Sequence, residues 1–339
     1  MRQDFVDKLE LELRAAGERR ARPWRIARRQ LLTPALAALG VVAIAVALAA
    51  TVLRSEDTIP AQPGPRLVAN THVVSTGGSM ASAFGSVWVA DIASERLLRL
   101  DPRTRAVEAR IPLGGEAWIG TAAGSVWALT RDRVLRIDPS SNRVVKAIPS
   151  PGDGPRLVLE AAGAVWIAYP DELARVDLRH DAISLIVPTS RAGFKNLGAT
   201  SDGRILYVAR GDGRLLRIDP RTGKSLSAVR APVGWLLGVA DGTVFVAGKS
   251  GVSAVDAATG RMRWSRDLSA NEGVLRGGTL WVHASDRRDR LWRLDTETGN
   301  VTGSLALPEF GAASMAAVGE QVWTMSSGGD LQVAAERKR

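Results

Sequence analysis

The chain has 339 residues, and its 45 Lys and Arg against 35 Asp and Glu give a formal charge of +10. Apolar residues make up 45% and charged residues 24%, a balance that excludes a largely disordered chain. The absence of Cys excludes disulfides, thiolate metal sites, iron–sulfur clusters and a cysteine nucleophile. Residues 1–54 carry half of the net charge, and no nucleic-acid-reading motif accompanies it, so we expect no nucleic-acid partner.

The first predicted element is a transmembrane helix over residues 31–53. This stretch contains no charge and is long enough for a hydrocarbon core of about 30 Å. Six Arg between positions 19 and 29 precede it, so the positive-inside rule makes residues 1–30 a short cytoplasmic basic tail. We therefore expect a single-pass protein of the cell membrane with its bulk outside the cytoplasm. A cleaved signal peptide is the alternative, because Ala47 and Ala49 form an A-x-A sequence.

A Pro-rich linker over residues 54–65 leads into a repeated pattern over residues 66–339. In each copy a Gly precedes an apolar pair that usually ends in Trp, and a second apolar run that usually ends in Asp follows. Short β-rich runs and turns at this period predict an all-β fold, a seven-bladed β-propeller of four-stranded blades. The pairs recur at intervals of 36 to 42 residues: Val87-Trp88, Val126-Trp127, Val165-Trp166, Leu206-Tyr207, Val244-Phe245, Leu280-Trp281 and Val322-Trp323.

The two ends of the propeller are predicted to pair. The last copy stops before its outer strand, and residues 66–75 form a lone strand-like segment before the first full copy. Supplying the missing strand from the start of the domain closes the ring and removes an exposed edge.

The repeated residues have structural roles in this scheme. The large aromatic side chain of each second strand is expected to fill the space between blades. The Asp that opens each turn is expected to accept hydrogen bonds from the turn backbone rather than to bind metal, because the six lie on separate blades. They are Asp101, Asp138, Asp177, Asp219, Asp256 and Asp295.

Segments of this pattern, such as residues 85–114 (GSVWVADIASERLLRLDPRTRAVEARIPLG), resemble bacterial extracytoplasmic β-propellers of the YVTN type and streptogramin-lyase-like propellers. Residues 254–264 (AVDAATGRMRW) are similar to the tryptophan-docking repeat of quinoprotein-like propellers. That repeat also occurs in propellers that bind no quinone and act as envelope scaffolds. With a single copy, we expect Trp264 to be a packing residue and the protein to need no cofactor.

The resemblance to streptogramin lyases implies a His and a Glu with Mg²⁺ near the central axis. The family's His beside an Asp at the start of an inner strand is not matched here. His283, placed just after a second strand, and Glu272, placed in the connection before that strand, are the alternative as a proton-shuttling pair. We favour instead a surface histidine in a polar loop. His72 is expected in the closing strand and His180 in a turn, so we assign no catalytic residue and no metal site.

Binding at the channel mouth is better supported by the sequence. The loops that join each outer strand to the next inner strand share one face of a propeller, and aromatic residues and Arg are typical of binding hot spots. A solvated rim, with both Trp packed into the blades, is the alternative. The candidate residues in these loops are Glu116, Trp118, Arg156, Lys195, Trp235 and Phe310.

The leading hypothesis is a non-catalytic, membrane-tethered extracytoplasmic propeller that binds an unknown protein, peptide or envelope ligand, or acts as a scaffold, at its channel face. The alternative is a metal-dependent lyase or lactonase-like enzyme with its site in the central channel. A third hypothesis is a sensor that couples an external ligand to the cytoplasmic tail through another protein.

Overall fold

The computed structural model describes residues 64–190, 196–248, 251–284, 289–308 and 312–336. The predicted cytoplasmic tail and transmembrane helix lie outside these residues, as does most of the linker. Within the described ranges no helix is long and apolar enough to span a bilayer.

The described residues form 28 strands, numbered here in chain order. The first strand, β1 (Arg66–His72), completes the last blade. Blade 1 contains β2 (Gly77–Ala83), β3 (Ser86–Asp91), β4 (Arg96–Leu100) and β5 (Val107–Pro112). Blade 2 contains β6 (Trp118–Ala122), β7 (Ser125–Leu129), β8 (Arg133–Asp138) and β9 (Arg143–Pro149). Blade 3 contains β10 (Leu157–Ala161), β11 (Ala164–Ala168), β12 (Glu172–Asp177) and β13 (Ala182–Pro188).

Blades 4 to 7 follow with the same order of inner to outer strands. Blade 4 contains β14 (Asn196–Ser201), β15 (Leu206–Arg210), β16 (Arg214–Ile218) and β17 (Ser225–Arg230), and blade 5 contains β18 (Gly234–Ala240), β19 (Thr243–Gly248), β20 (Gly251–Asp256) and β21 (Met262–Arg266). Blade 6 contains β22 (Ala270–Arg276), β23 (Thr279–Ala284), β24 (Arg290–Asp295) and β25 (Val301–Ala306). Blade 7 contains β26 (Ala312–Val318), β27 (Gln321–Ser326) and β28 (Asp330–Ala335).

Each blade is an antiparallel four-stranded sheet, and the predicted ring closure is confirmed. Blade 7 has the strand order β26-β27-β28-β1, so its outer strand comes from the start of the domain. Arg66 pairs with Ala335 at one end of this closing ladder, and His72 pairs with Asp330 at the other. The seven inner strands contact one another in sequence, and β26 contacts β2 to complete the ring.

The second strand of every blade supplies the core between blades, as predicted. Its aromatic residue is at most 2% exposed in all seven copies: Trp88, Trp127, Trp166, Tyr207, Phe245, Trp281 and Trp323. Trp264 on an outer strand is also buried, and its indole N–H donates to the carbonyl of Thr296 in the next blade at 2.9 Å. Its predicted packing role is therefore confirmed.

A feature not predicted from the sequence joins neighbouring blades. Arg136 is the cross-strand partner of Trp127, and its guanidinium lies 5.9 Å from the centre of that ring. The same guanidinium reaches Asp181 in the turn of the next blade at 3.3 Å. Arg99 stacks on Trp88 at 5.3 Å and donates to the carbonyl of Pro139 in the next blade. In these two blades the Arg that precedes the turn Asp by two residues thus links the core of one blade to the turn of the next.

The turn Asp residues have the predicted role. The carboxylate of Asp138 accepts hydrogen bonds from the Ser140 backbone and from the hydroxyls of Ser140 and Ser141. These bonds favour the charged form and lower the pKa of Asp138 to about 2. Asp101, Asp177, Asp219, Asp256 and Asp295 accept equivalent bonds in their own turns.

Candidate functional site

The starts of several inner strands meet at the mouth of the central channel, where they line a cavity of about 370 Å³. Trp118 opens β6 in blade 2, Arg156 precedes β10 in blade 3, Trp235 lies at the start of β18 in blade 5, and Glu272 lies near the start of β22 in blade 6. All four line this cavity. The structure therefore brings together three of the predicted binding residues and one residue of the catalytic alternative.

The two tryptophans at the mouth differ from those of the core. Trp118 is 50% exposed and Trp235 is 47% exposed. In the part of the chain that the structure describes, neither indole N–H has a protein partner, whereas the N–H of Trp127 donates to Ala122 at 3.0 Å. These two aromatic side chains are accessible to a ligand. The alternative in which both pack into the blades is therefore wrong.

The other predicted rim residues are placed as follows. Glu116 is exposed and lines a neighbouring cavity of about 240 Å³, which shares Trp118 with the larger one. Lys195 and Phe310 lie outside the described residues, so their predicted place on the rim stays a prediction.

Glu272 does not lie in a connection, as the sequence suggested, but on the inner strand β22. The loop before it is short, since β21 ends at Arg266 and β22 begins at Ala270. The pairing register of β22 shifts between Ala270 and Glu272, which marks a β-bulge at Asn271. Burial raises the pKa of Glu272 to about 7, because desolvation disfavours the charged carboxylate.

The interpretation of His283 as a surface histidine is wrong. His283 is fully buried within β23, where its backbone pairs with Glu272 on one side and Leu291 on the other. Its Nδ1 lies 3.0 Å from the amide oxygen of Asn271, and its Nε2 lies 3.1 Å from a carboxylate oxygen of Asp289. The strand extends through position 283, so this residue belongs to the sheet rather than to a loop.

The ring of His283 is thus held by Asn271 and Asp289 beside the cavity wall, next to Glu272 in the pairing register. His72 lies in the closing strand, 3.1 Å from Asp330, and His180 lies in a turn, 2.7 Å from Asp177, as predicted. Among the described residues, no group of three or more His, Asp or Glu comes together as a metal site.

Sequence reasoning missed the apolar wall of the cavity. Leu236 and Leu237 on β18 line it beside Trp235, and Tyr169 and Pro170 line it from the loop after β11. Tyr169 is buried, and its hydroxyl lies 2.9 Å from the Ser150 hydroxyl. The Tyr-Pro pair was a usable signal, because the sequence of the corresponding loop in every other blade has no aromatic residue.

Comparisons with known proteins agree with this architecture. A family model described as "Outer membrane protein assembly factor BamB" (PQQ_2) matches residues 211–338, which include the tryptophan-docking-like segment. No curated protein matches the sequence. The crystal structure of BamB from Moraxella catarrhalis is similar at 18% sequence identity, with a TM-score of 0.57, and the match covers 78% of this chain and 86% of that one. At that identity the likeness shows the fold alone, a β-propeller. The family model supports a PQQ-like repeat over residues 211–338, while the YVTN and streptogramin-lyase resemblances stay predictions.

Proposed function

We propose that this protein is a non-catalytic, membrane-tethered extracytoplasmic propeller that binds a segment of another protein at its channel mouth. The observation that carries the proposal is the cavity lined by two half-exposed tryptophans, Trp118 and Trp235, together with Arg156. Trp and Arg are the residue types most enriched at the energetic centres of protein interfaces.

The dimensions of the cavity suit an inserted protein segment. Its volume of about 370 Å³ is at the lower end of ligand-sized pockets, which run from about 300 to 1,000 Å³. Apolar side chains from blades 2, 3 and 5 form most of its wall, with Arg156 and Glu272 as its charged groups. A partner side chain that enters it would be anchored there while the rest of the partner lies on the surrounding rim.

Two further observations support the proposed membrane location and protein-binding role. The uncharged stretch 31–53 and its preceding Arg residues fit a signal-anchor that places the propeller outside the cytoplasm. The family model matching residues 211–338 carries the name of an assembly factor, which fits a protein that holds other proteins rather than converting a substrate.

The test is partner capture by the full-length protein. Cells producing wild type or the triple variant W118A/R156A/W235A are cross-linked, and the protein is purified from membranes in mild detergent for mass spectrometry. We expect the partners enriched by wild type to fall at least about tenfold in the triple variant, as for loss of several hot-spot side chains.

A matched control removes similar side chains elsewhere. Phe84, Arg103 and Met262 are exposed and do not line the mouth cavity, so F84A/R103A/M262A should capture partners as wild type does. Equal capture by wild type and the W118A/R156A/W235A variant would refute the proposed site.

A further inference from the structure

The mouth cavity has an unequal distribution of charge. Among its lining residues Glu272 is the acidic one and Arg156 the basic one, and the others are apolar or uncharged. Arg156 is exposed, so water solvates its guanidinium. Glu272 is partly buried, and within the described residues its carboxylate makes no hydrogen bond or ion pair. Of these two charged groups, the carboxylate is therefore the one less accessible to solvent.

A partly buried carboxylate of this kind favours a cationic ligand. Burial raises the pKa of Glu272, and among the residues that the structure describes no hydrogen bond opposes that effect. A cation that enters the cavity supplies the missing electrostatic partner and stabilises the charged carboxylate. An anion gains less at Arg156, because that guanidinium is already hydrated.

The aromatic walls add a second attraction for a cation. Trp118 and Trp235 present exposed indole rings to the same cavity, and indole is the best aromatic partner for a cation. The protein uses this chemistry internally, where Arg99 stacks on Trp88 at 5.3 Å.

From these contacts we infer that the cavity recognises a basic side chain, a Lys or Arg of the bound segment, through the carboxylate of Glu272 and the rings of Trp118 and Trp235. The inference rests on the proposed function and adds the chemistry of the partner. It assigns the ligand's aliphatic stem to the apolar wall formed by Leu236 and Leu237 and its charged end to Glu272.

We expect the pH dependence of binding at this site to follow the ionisation of Glu272, given the groups on the strands that surround it. The strand β18 presents Trp235, Leu236 and Leu237, and β26 contains no titratable residue. The strand β23 places His283 opposite, where Asn271 and Asp289 engage its ring. Arg156 faces the cavity from blade 3.

The experiment uses the full-length protein in mild detergent with ¹⁵N-labelled indole groups. The probe is a terminally blocked Gly-Lys-Gly peptide, and the matched peptides carry norleucine or glutamate in place of lysine. Indole resonances are assigned with W118F and W235F. We expect the lysine peptide to shift the Trp118 and Trp235 signals with a millimolar dissociation constant, and the other two peptides to bind at least about tenfold more weakly.

The variant E272Q should weaken binding of the lysine peptide about tenfold, since it removes the charge and keeps the shape of the side chain. The matched control E297Q changes an exposed glutamate in a turn at the opposite face of the same blade and should bind as wild type does. Wild-type affinity should rise up to about tenfold from pH 6 to pH 8, as Glu272 ionises, and this rise should be absent in E272Q.

Equal binding of the lysine and norleucine peptides, or unchanged lysine-peptide binding in E272Q, would overturn the inference. Preference for the glutamate peptide would overturn it as well and assign the site to Arg156. The proposed function fails separately: if the lysine peptide requires Glu272 but the W118A/R156A/W235A variant still captures its partners, the cation site stands and the docking role is lost.

Discussion

Replacing two tryptophans of different environment separates a binding residue from a packing residue. Trp127 has no exposed surface, donates its indole N–H to Ala122 at 3.0 Å and carries Arg136 over its ring at 5.9 Å. Trp127→Ala therefore leaves a large cavity between blades and removes both interactions. We expect it to lower the free energy of unfolding by about 3–5 kcal/mol.

Trp118 loses much less on truncation. Half of its surface is already exposed, so the variant Trp118→Ala gives up about 100 Å² of apolar burial. At about 25 cal/mol per Å² this is an upper value near 2.5 kcal/mol, and a residue at the cavity mouth leaves no enclosed void. The same substitution should thus cost less at position 118 than at position 127.

The measurement is urea unfolding of the full-length variants in one detergent, followed by far-ultraviolet circular dichroism. Circular dichroism of the backbone is used instead of tryptophan fluorescence, because each variant removes a tryptophan. We expect a clearly lower midpoint for W127A and a small shift for W118A. If W118A lowers the midpoint as much as W127A does, Trp118 is a packing residue and the binding interpretation of the mouth is refuted.

Two further predictions concern the contacts that join and shape the blades. Arg136→Ala should cost about 1–2 kcal/mol through loss of the Trp127 stack and the Asp181 contact, and a double-mutant cycle with Asp181→Asn should show a coupling of about 0.5 kcal/mol or more in urea unfolding. If the effects of the two substitutions on the free energy of unfolding are additive, the contact between Arg136 and Asp181 does not link the two blades energetically. For Asp138 the folded pKa of about 2 lies below its unfolded value near 3.9. Its stabilising contribution is present above pH 4 and lost as the pH falls toward 2, so an acid titration by circular dichroism should show a shallower loss of stability in Asp138→Asn than in wild type.

The sequence was sufficient for the propeller because the information is local and repeated. The aromatic residue of each second strand recurs at a nearly fixed interval, and the Asp of each turn bonds within a few residues of itself, as Asp138 does with Ser140. Even the closure by β1 followed from counting strands. The Arg136 contacts to Trp127 and Asp181 were missed, although the L-x-R-x-D run is visible, because one of those partners belongs to another blade.

The site was only partly predictable because bulges interrupt the alternation of the inner strands. Register shifts occur in β14 before Gly198, in β18 before Gly238 and in β22 before Glu272, which redirects the side chains beside them. Trp118, predicted in the loop before β6, is the first residue of that regularly paired strand and lines the mouth cavity. Glu272 and His283 were misplaced because the apolar pattern set the strand ends wrongly: β22 already includes Glu272, and β23 extends through His283.

Close contacts between inner strands hold the residues of the mouth at fixed separations. A Cβ on Gly120 would lie 2.8 Å from the Cβ of Val158, and a Cβ on Gly198 would lie 3.1 Å from the backbone nitrogen of Leu236. Glycine at these positions lets neighbouring blades approach more closely than any other residue allows. Trp118 and Arg156 each lie two residues before one partner of the first contact, so their spacing depends on it. The mouth is therefore formed before a ligand arrives, and a preorganised cavity loses less entropy on binding than a flexible loop does.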